Sequence, residues 1–254
     1  LNARSWMESS GLLSIPEVRD AYLAKVANAT KSVASADHRK SAQGGDAEVQ
    51  AAINTAKERS VRLAARIEGC TDIYIDKSYS MHAAIEVAPM FAQRLFPLCD
   101  DAAMFLFNDS AQEVKVVNTG NPLADTQTAL RGTRAGGGTL FAKPFALSLH
   151  MGRRPQRIAM LTDGGDNRRG TDFVAAVQRY SSDTGIYPQF TMIHFDGDTD
   201  CITDKLQNAG YEIDKFHWEG DYYLLDQVTA TMGGPPAMSL ADKVAATVLP
   251  HRVI

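Results

Sequence analysis

From Cys70 onward, short apolar runs alternate with amphipathic segments, and no other feature narrows the possible folds so far. Strands are expected at 71–76, 102–107, 113–117, 157–162, 189–195 and 211–217. Helices are expected between and after them, at 81–97, 121–131, 140–150, 171–182, 201–209, 222–232 and 239–248. Alternation of this kind predicts an α/β fold built on a doubly wound, mostly parallel six-stranded sheet. The runs at 102–107 and 113–117 are joined only by Asn108-Asp109-Ser110 and its neighbours, too few residues for a crossover helix. They should form a hairpin with one antiparallel edge strand. Asn121 and Pro122 read as the cap and first turn of the 121–131 helix. Gly233-Gly234-Pro235-Pro236 breaks the chain before the last one.

Residues 1–69 follow a different pattern and read as an N-terminal helical extension, with 70–254 as the α/β domain. Ile15, Val18, Tyr22, Val26, Ala29 and Val33 recur every three to four residues. This predicts a helix over 15–36 with Pro16 in its first turn and Ser14 as its cap. Val49, Ile53, Ala56, Leu63 and Ile67 make a second stripe over 47–67, so the extension is expected to be a helical hairpin.

Composition excludes some functions. No apolar run is long enough to cross a bilayer, and Leu1–Asp20 lacks the apolar core of a signal peptide. Cys70, Cys99 and Cys201 are odd in number and far apart, which fits neither a disulfide framework nor a thiolate metal site. A cytoplasmic protein with reduced thiols is expected, with no membrane partner and no small-molecule cofactor. Residues 1–69 hold 10 Lys/Arg against 8 Asp/Glu, whereas 70–254 hold 16 against 22. An acidic domain is a poor general binder of nucleic acid, because phosphate neutralisation drives such binding.

The chemistry is concentrated where the first apolar run ends. Asp76-Lys77-Ser78-Tyr79-Ser80 places a carboxylate and two hydroxyls on the turn leaving a buried strand, where open α/β sheets bind ligands. Hard oxygen donors without thiolate or imidazole suit a magnesium-like cation. Gly136-Gly137-Gly138-Thr139 comes later, and Arg157–Thr162 then leads into Asp163-Gly164. Asp-x-Ser-x-Ser, then Gly-Gly-Thr, then strand-Thr-Asp-Gly resembles the metal-ion-dependent adhesion site of von Willebrand factor A (vWA) domains, over roughly residues 70–250. The resemblance implies a metal set of Asp76, Ser78, Ser80, Thr139 and Asp163 holding Mg2+, or Mn2+ or Ca2+. It also implies a protein partner that offers an acidic group to the metal. Two carboxylates balance a divalent charge, and neutral hydroxyls leave the ion electrophilic. The glycines ahead of Thr139 are expected to let the backbone approach the metal.

Tyr79 stands where the family often has glycine, although integrin β subunits also carry Asp-x-Ser-Tyr-Ser-Met. Lys77 is expected to point along the rim, and Asp166 is a competitor to Asp163 as ligand. Lys77, Tyr79, Arg131, Arg134, Arg168 and Arg169 lie near the site loops in sequence and are expected to form a ligand-binding rim, cationic apart from Tyr79. The histidines are scattered, and His194 sits in an apolar strand as a core residue would. No nucleophile–base pair has supporting context, so the chain reads as a non-enzyme. Ile15-Pro16-Glu17-Val18-Arg19-Asp20 heading a helix, a second helix running into the first strand, and the spacing from Gly-Gly-Thr to Thr-Asp are similar to the vWA half of Ro (TROVE) ribonucleoproteins. That likeness implies RNA as an alternative partner.

Overall fold

The computed structural model describes residues 6–7, 10–28, 55, 66–167, 170–195, 201–220 and 224–233. The expected helices at 47–67 and 239–248, and Arg168 and Arg169, lie outside the described residues apart from Thr55 and the start of the first strand.

Six strands form one sheet: β1 (Ile67–Asp76), β2 (Cys99–Phe107), β3 (Ala111–Val114), β4 (Arg157–Thr162), β5 (Gln189–Phe195) and β6 (Ile213–Trp218). Their spatial order is β3-β2-β1-β4-β5-β6, with only β3 antiparallel to its neighbour. The helices are α1 (Pro16–Asn28), α2 (Ala88–Leu95), α3 (Pro122–Leu130), α4 (Ala142–His150), α5 (Thr171–Thr184), α6 (Cys201–Asn208) and α7 (Leu224–Met232).

Strand alternation sends odd and even residues to opposite faces. Ile73, Ile75, Leu106, Leu161 and Phe195 differ in parity from strand to strand, yet share one face with Phe91 and Leu95 of α2, Leu130 of α3 and Val228 of α7. Tyr74, Phe105, Ile158, Met160 and Met192 pack on the other face with Phe145 of α4, Phe173 and Val177 of α5, and Ile202 of α6. The result is a sheet covered on both sides, which is why its central strands read as nearly continuous apolar runs.

Several boundaries differ from expectation. Ile67, expected to end a helix, is the first residue of β1 and pairs with Cys99. The expected helix at 81–97 is broken into a 3-10 turn (Tyr79–Ala83), α2 and a second 3-10 turn (Phe96–Leu98). Pro89 fits only the first turn of α2, and Pro97 cannot continue it. The edge strand runs over 111–114 rather than 113–117, because Phe107 pairs directly with Ala111 across a three-residue turn. At the start of α1, the Ser14 hydroxyl donates to the Gly11 carbonyl at 2.6 Å, and Ile15 supplies the first helical carbonyl acceptor, to Arg19 N. Asn121 does cap α3, accepting from Ala124 N at 3.2 Å.

In this strand order the chain reverses its winding between β1 and β4. The loops leaving those two strands diverge there and leave a crevice. Asp76 ends β1, and Asp163 follows the last residue of β4. Among the described residues, no helix is long and apolar enough to cross a membrane.

Candidate metal centre

The turn after β1 folds around its own carboxylate. Asp76 is fully buried. Its Oδ1 accepts from Ser78 N at 2.8 Å, which curls Lys77 and Ser78 back over the strand end. The Ser78 and Ser80 hydroxyl oxygens then lie 3.1 Å apart. Across the crevice, Thr162 Oγ1 donates to Asp76 Oδ2 at 2.8 Å and accepts from Gly164 N at 3.0 Å. Burial pushes Asp76 up to about 6. The amide and hydroxyl of Ser78 and the Thr162 hydroxyl oppose that rise, and the charge of Asp163 adds to it. A carboxylate held under this strain is stabilised by any cation brought beside it.

Three loops are knitted together above the strand ends. Lys77 N donates to Phe107 O at 2.8 Å, Gly136 N to Lys77 O at 2.8 Å, and Tyr79 N to Gly137 O at 3.0 Å. The glycine loop is therefore strapped to the Asp76–Ser80 turn. Its other side meets the loop after β4. Thr139 N donates to Asn167 Oδ1 at 2.7 Å, and Asn167 N donates to Thr139 O at 2.9 Å. The structure thus brings Asp76, Ser78, Ser80, Thr139 and Asp163 to one edge of the sheet. Ser80 is exposed, and the other four are buried.

The donor chemistry fits a hard divalent ion. Adjacent ligands of an octahedral magnesium, at roughly 2.1 Å from it, stand about 3.0 Å from each other. The Ser78 and Ser80 hydroxyls are hydrogen-bonded to each other at 3.1 Å, a separation that a bound ion would replace with its own ligand spacing. Calcium, with ligands at about 2.3–2.6 Å, needs a wider spacing. Among the described residues no group of three or more His, Cys, Asp or Glu side chains gathers as a metal cluster, and the donors here are two carboxylates and three hydroxyls. The competitor Asp166 is otherwise engaged: its carboxylate accepts from Phe141 N at 3.4 Å and from Gly170 N at the start of α5.

Tyr79 is 75% exposed, and Arg131 and Arg134 are exposed on the segment leading to Gly136. Lys77 is half-buried. Two of the histidines are not scattered: His194 and His217 are partners across β5 and β6, with stacked rings 5.3 Å apart. Burial, then Lys215 and His217, lower His194 to about 4, so it stays neutral at physiological pH.

Sequence reasoning missed the roles of Thr162, Asn108, Asp109 and Asn167. Thr162 was visible in the strand-Thr-Asp-Gly motif but not as a partner of Asp76, and Asn108-Asp109-Ser110 only as a turn. Yet Asn108 Nδ2 donates to Gly136 O at 2.8 Å, and Asp109 Oδ2 accepts from Gly138 N at 2.7 Å.

No family profile and no curated protein matches the chain. Solved structures do. The crystal structure of a Deinococcus radiodurans Ro (RSR) protein matches 84% of this chain at 12% identity, with a TM-score of 0.58. This chain spans 48% of that protein, about half its length. Proximal thread matrix protein 1 from the mussel byssus matches 66% of this chain and 47% of its own, at 11% identity and a TM-score of 0.50. A von Willebrand factor type A structure from Catenulispora acidiphila matches 65% of this chain and 42% of its own, at 18% identity and a TM-score of 0.48. The fold is that of a vWA domain, a six-stranded α/β sheet with a single antiparallel edge strand.

Proposed function

We propose that the chain is a non-catalytic, divalent-metal-dependent interaction module. It captures an acidic group of a protein partner at an ion held by Asp76, Ser78, Ser80, Thr139 and Asp163. The observation that carries this reading is the buried Asp76 carboxylate, pushed up to about 6, beneath two serine oxygens 3.1 Å apart. When bound, the ion supplies a positive centre with room for an outside carboxylate oxygen. The chain's own part is to fix the donors in advance: the Ser78 amide and the Thr162 hydroxyl orient Asp76, and Asn167 holds the Thr139 backbone. Magnesium is the expected ion, with manganese or calcium as alternatives. The deciding experiment is calorimetric titration with MgCl2 and with MnCl2, for the wild type and for Asp76→Ala. One ion per wild-type chain and none per variant is expected. A wild type that takes up neither ion at millimolar concentration sinks the proposal.

A second reading, an RNA-binding ribonucleoprotein component, is supported by the extent of the likeness to the Ro protein, 84% of this chain. It predicts RNA binding that weakens steeply with salt, as counterion release requires, and that EDTA leaves largely intact.

A further inference from the structure

The glycine loop is gripped from outside the proposed ligand set. The turn between β2 and β3 holds it at three successive alternate residues: Asn108 Nδ2 to Gly136 O at 2.8 Å, Gly138 N to Asp109 Oδ2 at 2.7 Å, and Leu140 N to Asn108 O at 3.1 Å. The preceding residue of β2, Phe107, accepts from Lys77 N. One hairpin end therefore anchors both the Asp76–Ser80 turn and the loop carrying Thr139. The grip bears on two of the loop's glycines, Gly137 and Gly138. A β-carbon on Gly138 would lie 2.5 Å from Asp109 Oδ1, and one on Gly137 would lie 2.7 Å from Asp109 Oδ2 and 2.8 Å from Asn108 Nδ2. Gly137 also has a φ of 81°, which other residues rarely adopt. The space the glycines leave is filled by the Asp109 carboxylate and the Asn108 amide.

We propose that Asp109 is a positioning residue of the metal centre, acting through the Gly138 amide to set where Thr139 stands. The inference rests on the metal reading above and adds a residue outside its ligand set. Both Asp109 oxygens lie against the glycine loop, so its carboxylate serves the backbone and leaves metal ligation to the other donors. An ionised acceptor on an amide makes a stronger hydrogen bond than a neutral one, and residues that orient ligands commonly change metal affinity by about 10–100-fold. Asp109 is exposed, so its contribution to global stability is small, and a metal-free loop is where its loss is felt.

The test uses the full chain with Asp109→Ala and Asp109→Asn. In EDTA, amide hydrogen exchange at Gly138 is followed by NMR, alongside thermal unfolding. Magnesium affinity is then measured by calorimetry. For Asp109→Ala, Gly138 exchange is expected to speed up and magnesium affinity to fall by about ten-fold or more, with the unfolding temperature in EDTA nearly unchanged. Asp109→Asn keeps an acceptor oxygen and should recover much of both. Unchanged Gly138 exchange in Asp109→Ala overturns the proposal, as does magnesium affinity within two-fold of wild type. A wild type that binds no magnesium refutes the metal reading, and the positioning role with it. Gly138 exchange that still depends on Asp109 would then mark the grip as purely structural.

Discussion

Thr162, the last residue of β4, hydrogen-bonds through its hydroxyl to the Asp76 carboxylate that ends β1, at 2.8 Å. This contact joins the two strands at the point where the sheet changes its winding direction, and both partners are fully buried. It keeps one Asp76 oxygen occupied by a neutral donor while the other is held by the Ser78 amide. Burial outweighs these contacts and makes the carboxylate costly as an anion, which is the state a cation relieves.

Removing the Thr162 hydroxyl tests that account. Thr162→Val keeps the shape but removes the hydroxyl that donates to the buried Asp76 Oδ2 and accepts from Gly164 N. Stability in EDTA should fall by about 1–3 kcal/mol, the usual cost of a buried group left unsatisfied. Magnesium affinity should fall by about ten-fold, because the carboxylate is no longer oriented. Urea unfolding and calorimetric titration measure the two effects. A variant that loses stability but keeps wild-type affinity would show that Thr162 does not orient the site.

The pH dependence has a definite sign. Asp76 is raised from 3.8 to about 6, so the metal-free folded state holds its proton over a range in which the unfolded chain has released it. Stability from this group is therefore full below about 4 and declines as pH rises toward about 6. At roughly 1.4 kcal/mol per pH unit the loss is at most about 3 kcal/mol. Asp76→Asn lacks the titration, so in EDTA its stability relative to wild type should rise between pH 4 and 6. Saturating magnesium should cancel that advantage by stabilising only the wild type. Thermal unfolding of both proteins across this range, with and without the ion, measures it. A pH-independent difference in EDTA would mean that Asp76 titrates normally.

Exposed cations near the site bear on association. Arg131 and Arg134 lie on the segment that ends at Gly136, whose amide is bonded to Lys77 O. Reversing both to Glu should slow the association of an acidic peptide at low salt and change its dissociation less, since surface charge acts mainly on encounter. At 0.5 M NaCl, a roughly 4–5 Å Debye length should remove most of the difference. Stopped-flow measurements at the two salt concentrations decide it. An unchanged association rate at low salt would mean that these arginines lie outside the partner's approach.

The parts of this architecture that were legible in the sequence are those set by local order. The strands at 157–162 and 189–195 match because apolar runs of that length between polar turns have few other uses. Asp76, Ser78 and Ser80 were visible together because one turn contains them. The helix expected at 81–97 was overextended for a physical reason: Ala84, Ala88, Phe91 and Leu95 do face the core at helical spacing, but Pro89 and Pro97 limit the regular helix between them. The roles of Thr162, Asp109 and Asn167 escaped notice because they depend on pairings across 86, 29 and 28 residues. No periodicity within the chain encodes which strand end a hydroxyl or an amide will meet.

A second polar network separates fold stability from the site. Asp72 lies on the same strand as Asp76, four residues earlier, and is fully buried. Its carboxylate accepts from Arg153 Nε at 2.7 Å, from Tyr74 OH at 3.1 Å and from the Ser148 hydroxyl. Burial raises its pKa, and the Ser148 and Arg153 contacts oppose that rise. Arg153 also pairs with the exposed Asp101 at 2.9 Å, so it links β1, β2 and the turn after α4. Removing one partner of a buried pair leaves the other charge uncompensated, at a typical cost of about 3–5 kcal/mol. Arg153→Met should therefore lower stability in urea by about that amount. A rise of roughly 3.3 Å per strand residue puts Asp72 about 13 Å from Asp76, so magnesium affinity of the folded variant should stay within about two-fold of wild type. A large loss of affinity without loss of stability would show that the two networks are coupled along β1, and that the strand transmits more than its own position.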